Sequence, residues 1–118
     1  LKPLKAVYGN IDNHLIRNEF PLDYRFSCEN IRVWITHIGG YPNRYSKRIS
    51  EGLKSEKVDL FICGHSHILK VINDKKHNLL HINPGAIGKH GFHNKRTMVR
   101  FEIDGKKIEN LEIIEFNR

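Results

Sequence analysis

Apolar residues in this chain recur at two different periods, and the switches between them mark the elements. Ile31, Val33 and Ile35 fall at every second position, so they share one face of a strand. Residues 24–28 read as a partner strand, joined to it at Glu29-Asn30. Gly39-Gly40-Tyr41-Pro42-Asn43 breaks the pattern. Beyond it Tyr45, Ile49 and Leu53 fall at helical spacing and predict an amphipathic helix of about three turns. Residues 58–63 are mostly apolar, as in a strand buried within a sheet. Residues 68–72 and 78–82 predict a hairpin across Asn73-Asp74-Lys75-Lys76, and residues 98–103 and 108–114 a second across Asp104-Gly105. Leu4-Lys5-Ala6-Val7-Tyr8 reads as a short strand running into Gly9-Asn10. The result is a strand-rich α/β chain that becomes antiparallel towards its C-terminus.

That first strand looks like an interior strand of a parallel sheet, which needs neighbours reached by crossover connections. The expectation is that such neighbours lie upstream of Leu1, making residues 1–118 one domain that is the C-terminal part of a longer one. The only methionine, Met98, lies far from the start and fits that expectation. A length of 118 residues leaves room for one real core. No apolar run approaches the roughly 18–20 residues of a membrane span, so no membrane partner is expected. The two cysteines, Cys28 and Cys63, are too few for a disulfide framework and fit a reducing cytoplasm. A net charge of +7 invites a nucleic-acid partner. The lysines and arginines are nevertheless spread along the chain without basic repeats or aromatic interleaving, so a basic surface is the better reading.

The chemistry concentrates in loops that follow the strands. Cys63-Gly64-His65-Ser66-His67 comes directly after residues 58–62. Two histidines two residues apart on extended backbone point the same way, and neutral imidazole is the commonest side-chain metal ligand. Gly9-Asn10, Thr36-His37 and Asn83-Pro84-Gly85 occupy corresponding places after other apolar runs.

In order and placement these motifs resemble the calcineurin-like metallophosphoesterases, in particular the small bacterial and archaeal phosphodiesterase branch. Gly9-Asn10 matches that family's Gly-Asn element, His37 its lone histidine after a strand, Gly64-His65-Ser66-His67 its Gly-His-x-His, and Asn83-Pro84-Gly85 the branch's closing turn. The Asp-x-His and Gly-Asp motifs that precede these in the family would lie upstream of Leu1. The resemblance implies a partial four-layer αββα sandwich of mixed β-sheets. It also implies two divalent metal ions (Mn, Fe, Zn or Ni) in the intact protein, roughly 3.5–4 Å apart and bridged by a carboxylate and hydroxide. Asn10, His37 and His65 would bind the second metal and His67 the first. The implied activity is hydrolysis of phosphodiester or related phosphate-ester bonds, with a phosphate ester as substrate, while this chain alone is expected to be inactive. Ile11 stands where many relatives carry a histidine that protonates the leaving group, so no catalytic residue is assigned. Ile38 likewise replaces a glycine that commonly precedes a phosphate-contacting histidine.

The same resemblance carries an alternative: some members of this fold are catalytically inactive scaffolds for protein–protein interaction, as in the retromer subunit. A basic nucleic-acid-binding module ranks third. An open sheet edge would also offer a route to a homo-oligomer. Asp12 reads as a turn carboxylate or one that orients a ligand. His77 and His81 read as solvated or hairpin side chains, and His90 and His93 as surface-loop residues, with the alternative that one of them, or Arg96, faces substrate.

Overall fold

The computed structural model describes residues 2–118. Its elements are α1 (His14–Glu19), β1 (Asp23–Cys28), β2 (Ile31–Thr36), α2 (Lys47–Ser55), β3 (Leu60–Ile62), β4 (Leu69–Asp74), β5 (Leu79–Pro84), β6 (Lys95–Asp104) and β7 (Lys107–Asn117). Five strands form one sheet in the order β1-β2-β3-β5-β4, and β6-β7 form a second. The three central strands of the large sheet run parallel, with β1 and β4 antiparallel at its edges. This is the mixed α/β class expected.

Period-two alternation sets the two faces of β2. Ile31, Val33 and Ile35 pack with Leu60 and Ile82 against Val99, Phe101, Ile103, Ile108 and Leu111 of the β6-β7 ribbon. Trp34 points the other way, into a cluster with Ile49, Phe61, Tyr45 and Leu53 under α2. Helix, sheet and ribbon are thus three of the layers of an αββα sandwich among the described residues. Gly52 brings α2 close: a Cβ there would lie 2.5 Å from the Trp34 ring.

Both hairpins form, but their turns are shifted: Asn73 and Asp74 pair with Leu80 and Leu79, so the first turn falls at residues 75–78, and Asp104 pairs with Lys107, so the second is Gly105-Lys106. The helix begins two residues later than expected, because Tyr45 is used below it, with its hydroxyl 3.3 Å from His81 Nδ1. Two local expectations fail. Residues 4–8 form no strand: Tyr8 N–H is tied to Pro21 C=O at 3.1 Å, and Leu4 stays 77% exposed. An apolar run becomes a strand only where an edge accepts its ladder, and β1 is not paired with it. Instead Asn13 opens the unforeseen short helix α1, its side-chain oxygen accepting from Leu15 and Ile16 N–H. His81, expected at the surface, is fully buried. It lies on the α2 face of β5, level with Phe61 across the ladder.

Candidate metal centre

The parallel strands β2, β3 and β5 all end at one edge of the sheet, and the polar loops gather there. Ligands commonly bind outside the carboxyl ends of such strands. His37 follows β2, residues 63–68 follow β3, and Asn83 closes β5. The first two loops are stitched together by Gly64 N–H donating to His37 C=O at 2.9 Å.

Three of the four expected ligands converge. Asn10 Oδ1 lies 2.9 Å from His37 Nε2 and 3.1 Å from His65 Nδ1. The two imidazole centroids are 5.2 Å apart, with planes at 78°. Ligand atoms at about 2.1 Å from a shared ion lie roughly 3.0–3.4 Å from one another, which puts two imidazole centroids about 5 Å apart. The donor set of two imidazole nitrogens and an amide oxygen therefore fits one borderline divalent ion. Among the described residues no three His, Cys, Asp or Glu side chains form a cage by themselves, so the amide oxygen completes this set. A bridging carboxylate is not part of it, because Asp12 Oδ2 accepts from Gly9 N–H at 2.7 Å. Arg17 fixes the Asn10 loop, donating to Asn10 C=O at 3.0 Å and Asp12 C=O at 2.9 Å. Burial, followed by the neighbouring His65 and His67, pushes the His37 imidazole below its ordinary pKa, with Asp12 opposing. That favours the neutral imidazole, the form that binds a metal ion.

His67 stands apart, its ring edge-on to His93 with centroids 5.3 Å apart. The structure corrects the expected backbone here. His65 and His67 do not alternate along extended chain: their φ angles are +70° and +63°. Ser66 N–H folds back onto Gly64 C=O at 2.9 Å, which turns the chain after β3. Left-handed backbone at two non-glycine residues costs free energy and clusters at functional sites.

What holds that conformation was not legible in the motif. Asn83, only 1% exposed, donates through Nδ2 to Gly64 C=O and Ser66 Oγ, both at 3.1 Å. Ser66 Oγ also accepts from Ile68 N–H at 3.2 Å and is bonded to the Tyr41 hydroxyl. In sequence Asn83-Pro84-Gly85 reads as a turn, and Gly85 N–H does bond Asn83 Oδ1 at 3.1 Å. Tyr41 gave no signal beyond the loop that contains it. Cys63 is not a donor here: burial pushes its thiol up to about 12, and it points to Gly40 C=O.

A family model of the calcineurin-like phosphoesterase superfamily domain matches residues 1–106. No curated protein sequence matches the chain. Solved structures are similar throughout the fold. An archaeal phosphodiesterase superposes with a TM-score of 0.70 at 20% identity, over 95% of this chain and 68% of that one. A Thermotoga maritima protein solved by NMR gives 0.68 at 20% identity, over 95% and 65%. Vps29 from Entamoeba histolytica, complexed with Zn²⁺, gives 0.67 at 17% identity, over 97% and 69%. The chain thus spans only about two thirds of the length of the proteins it resembles.

Proposed function

Since the chain belongs to the calcineurin-like phosphoesterase superfamily, we propose that it carries the histidine-rich half of the centre of a metal-dependent phosphodiesterase. The observation that carries this reading is the convergence of Asn10 Oδ1, His37 Nε2 and His65 Nδ1 at the carboxyl edge of a parallel sheet. Divalent ions held there, such as Mn, Fe, Zn or Ni, would supply Lewis acidity towards a phosphate ester and activate water. The chain's own groups do the positioning. His37 and His65 present imidazole nitrogens, Asn10 presents its amide oxygen, and Asn83 with Tyr41 fixes the loop between His65 and His67. Ile11 and Ile38 bring no proton donor, so the leaving group takes its proton from water or from a residue not gathered here. The carboxylate that bridges a metal pair in the family has no counterpart beside these three side chains among the described residues, since Asp12 is engaged by Gly9 N–H.

The test is hydrolysis of bis(p-nitrophenyl) phosphate with and without Mn²⁺, by this chain and by the full open reading frame that encodes it. Mn²⁺-dependent turnover by the full protein, abolished in His65→Ala, is the expected result. No turnover with any divalent metal overturns it.

A protein-interaction scaffold is the second reading. The likeness to Vps29 favours it, as does the apolar surface left by Leu4, Ile11, Leu15 and Ile38. Because that Vps29 structure itself holds Zn²⁺, metal binding does not separate the two readings. Turnover does.

A further inference from the structure

The segment after β5 was expected to be surface loop, yet it places His93 against the one candidate ligand that stands outside the Asn10 cluster. Its conformation is tied from several sides. Arg96 donates to Ile87 C=O at 3.2 Å, and Arg118 donates to Gly91 C=O at 2.8 Å and also to His93 C=O. Thr97 N–H bonds Ala86 C=O at 2.9 Å.

Within that tied loop His93 Nε2 lies 2.8 Å from Gly88 C=O. A carbonyl only accepts, so Nε2 carries the proton and the Nδ1 lone pair is the free one. That Nδ1 is buried and has no hydrogen-bond partner. A histidine whose one nitrogen donates to a backbone carbonyl while the other is bare has the arrangement that proteins use for metal-ligating imidazoles. The neighbour is His67, and both Nδ1 atoms border the gap beside Gly91. A Cβ at Gly91 would lie 2.3 Å from His67 Nδ1 and 3.1 Å from His93 Nδ1, and Gly91 has φ +129°. Only a glycine leaves that gap open. The centroid separation of 5.3 Å again fits the roughly 5 Å expected of two imidazoles sharing one ion.

We infer that His93 is a further ligand, through Nδ1, for a metal ion held at His67. The inference extends the reading of the Asn10 centre and rests on it for the role of His67. Two imidazole nitrogens select a borderline transition-metal ion such as Zn²⁺, Ni²⁺ or Co²⁺ over Mg²⁺ or Ca²⁺. His93 thereby gives the ion at His67 a second ligand from within the chain, independent of any carboxylate supplied elsewhere.

The test is Zn²⁺ stoichiometry by equilibrium dialysis and metal analysis on the full chain at neutral pH. About two equivalents are expected for the wild type, and about one each for His93→Ala and His37→Ala. As a check that needs no mutation, imidazole ¹⁵N NMR of the unaltered protein should show Zn²⁺ shifting His93 Nδ1 while Nε2 stays protonated. A wild type whose single equivalent is lost in His37→Ala and kept in His93→Ala refutes this inference and leaves the Asn10 centre standing. A His93 Nδ1 resonance unmoved by saturating Zn²⁺ also refutes it. A wild type that binds no metal overturns both readings.

Discussion

Acid should weaken this fold chiefly through His81, in a window above that of Asp74 and Asp23. Its side chain is fully buried and its Nε2 has no partner. Tyr41, Tyr45 and Phe61 surround it, with ring centroids 5.7–5.8 Å away. Burial pushes its pKa down to about 4, against the opposing pull of Asp74. In the unfolded chain the imidazole takes its proton near pH 6.5. The unfolded state therefore binds more protons throughout the interval between the two values. His81's contribution is complete above about 6.5 and is lost as the pH falls towards 4. At 1.36 kcal/mol per unit, the loss between pH 7 and pH 4.5 is about 2.5 kcal/mol. Asp74 and Asp23 act in a lower window. Burial raises each carboxyl, but hydrogen bonds from His77 to Asp74, and from Arg48, Thr36 and Trp34 to Asp23, bring both below 3.8. Their contribution persists above that value and is lost only beneath it. His37 shares the direction of His81, so the comparison must be between variants. Urea unfolding at both pH values, in EDTA, on the wild type and on His81→Phe isolates the effect. The variant should lose about 2.5 kcal/mol less over the interval, a difference of roughly 1 M or more in urea midpoint. Parallel profiles for the two proteins would refute the argument that the orphaned imidazole is held neutral in the core.

Three further outcomes follow from the same contacts. Gly52→Ala should destabilise by about 1–3 kcal/mol in urea unfolding despite alanine's better helix propensity, because the new methyl meets the Trp34 ring at 2.5 Å. Tyr41→Phe removes the hydroxyl bonded to Ser66 and should weaken Zn²⁺ binding about 10–100-fold by calorimetric titration, while the melting temperature of the metal-free protein changes little. Zn²⁺ at 100 times the dissociation constant of the Asn10 centre should add about 2.7 kcal/mol from that centre in thermal denaturation, and His65→Ala should lose that share while keeping any stabilisation that comes from the His67–His93 site.

Legibility differed by the kind of information involved. Ile31, Val33 and Ile35 announced both the strand and its buried face, because period two belongs to the backbone and the ribbon beneath covers that face. Asp104-Gly105 announced its hairpin for an equally local reason, the left-handed turn that Gly105 adopts at φ +62°. Residues 4–8 misled because apolar content gives a strand its face but not its partner. His81 misled because burial is decided by what lies across the sheet, and a polar residue at a hairpin gives no sign of Phe61 on one side and Tyr45 on the other.

At the candidate centre the division runs along the same line. The motifs named Asn10, His37, His65 and His67 by type and order, and three of those side chains meet. The supports lay in contacts between segments far apart in sequence: Asn83 reaches across 19 residues to Gly64, and Tyr41 across 25 to Ser66. A strained loop cannot hold itself, since left-handed φ at both His65 and His67 relaxes unless other groups occupy its carbonyl and hydroxyl. Asn83, nearly inaccessible at the end of β5, supplies both bonds. A ligand motif in a loop is thus informative about which atoms meet, while the precision with which they meet is written in the neighbouring strand.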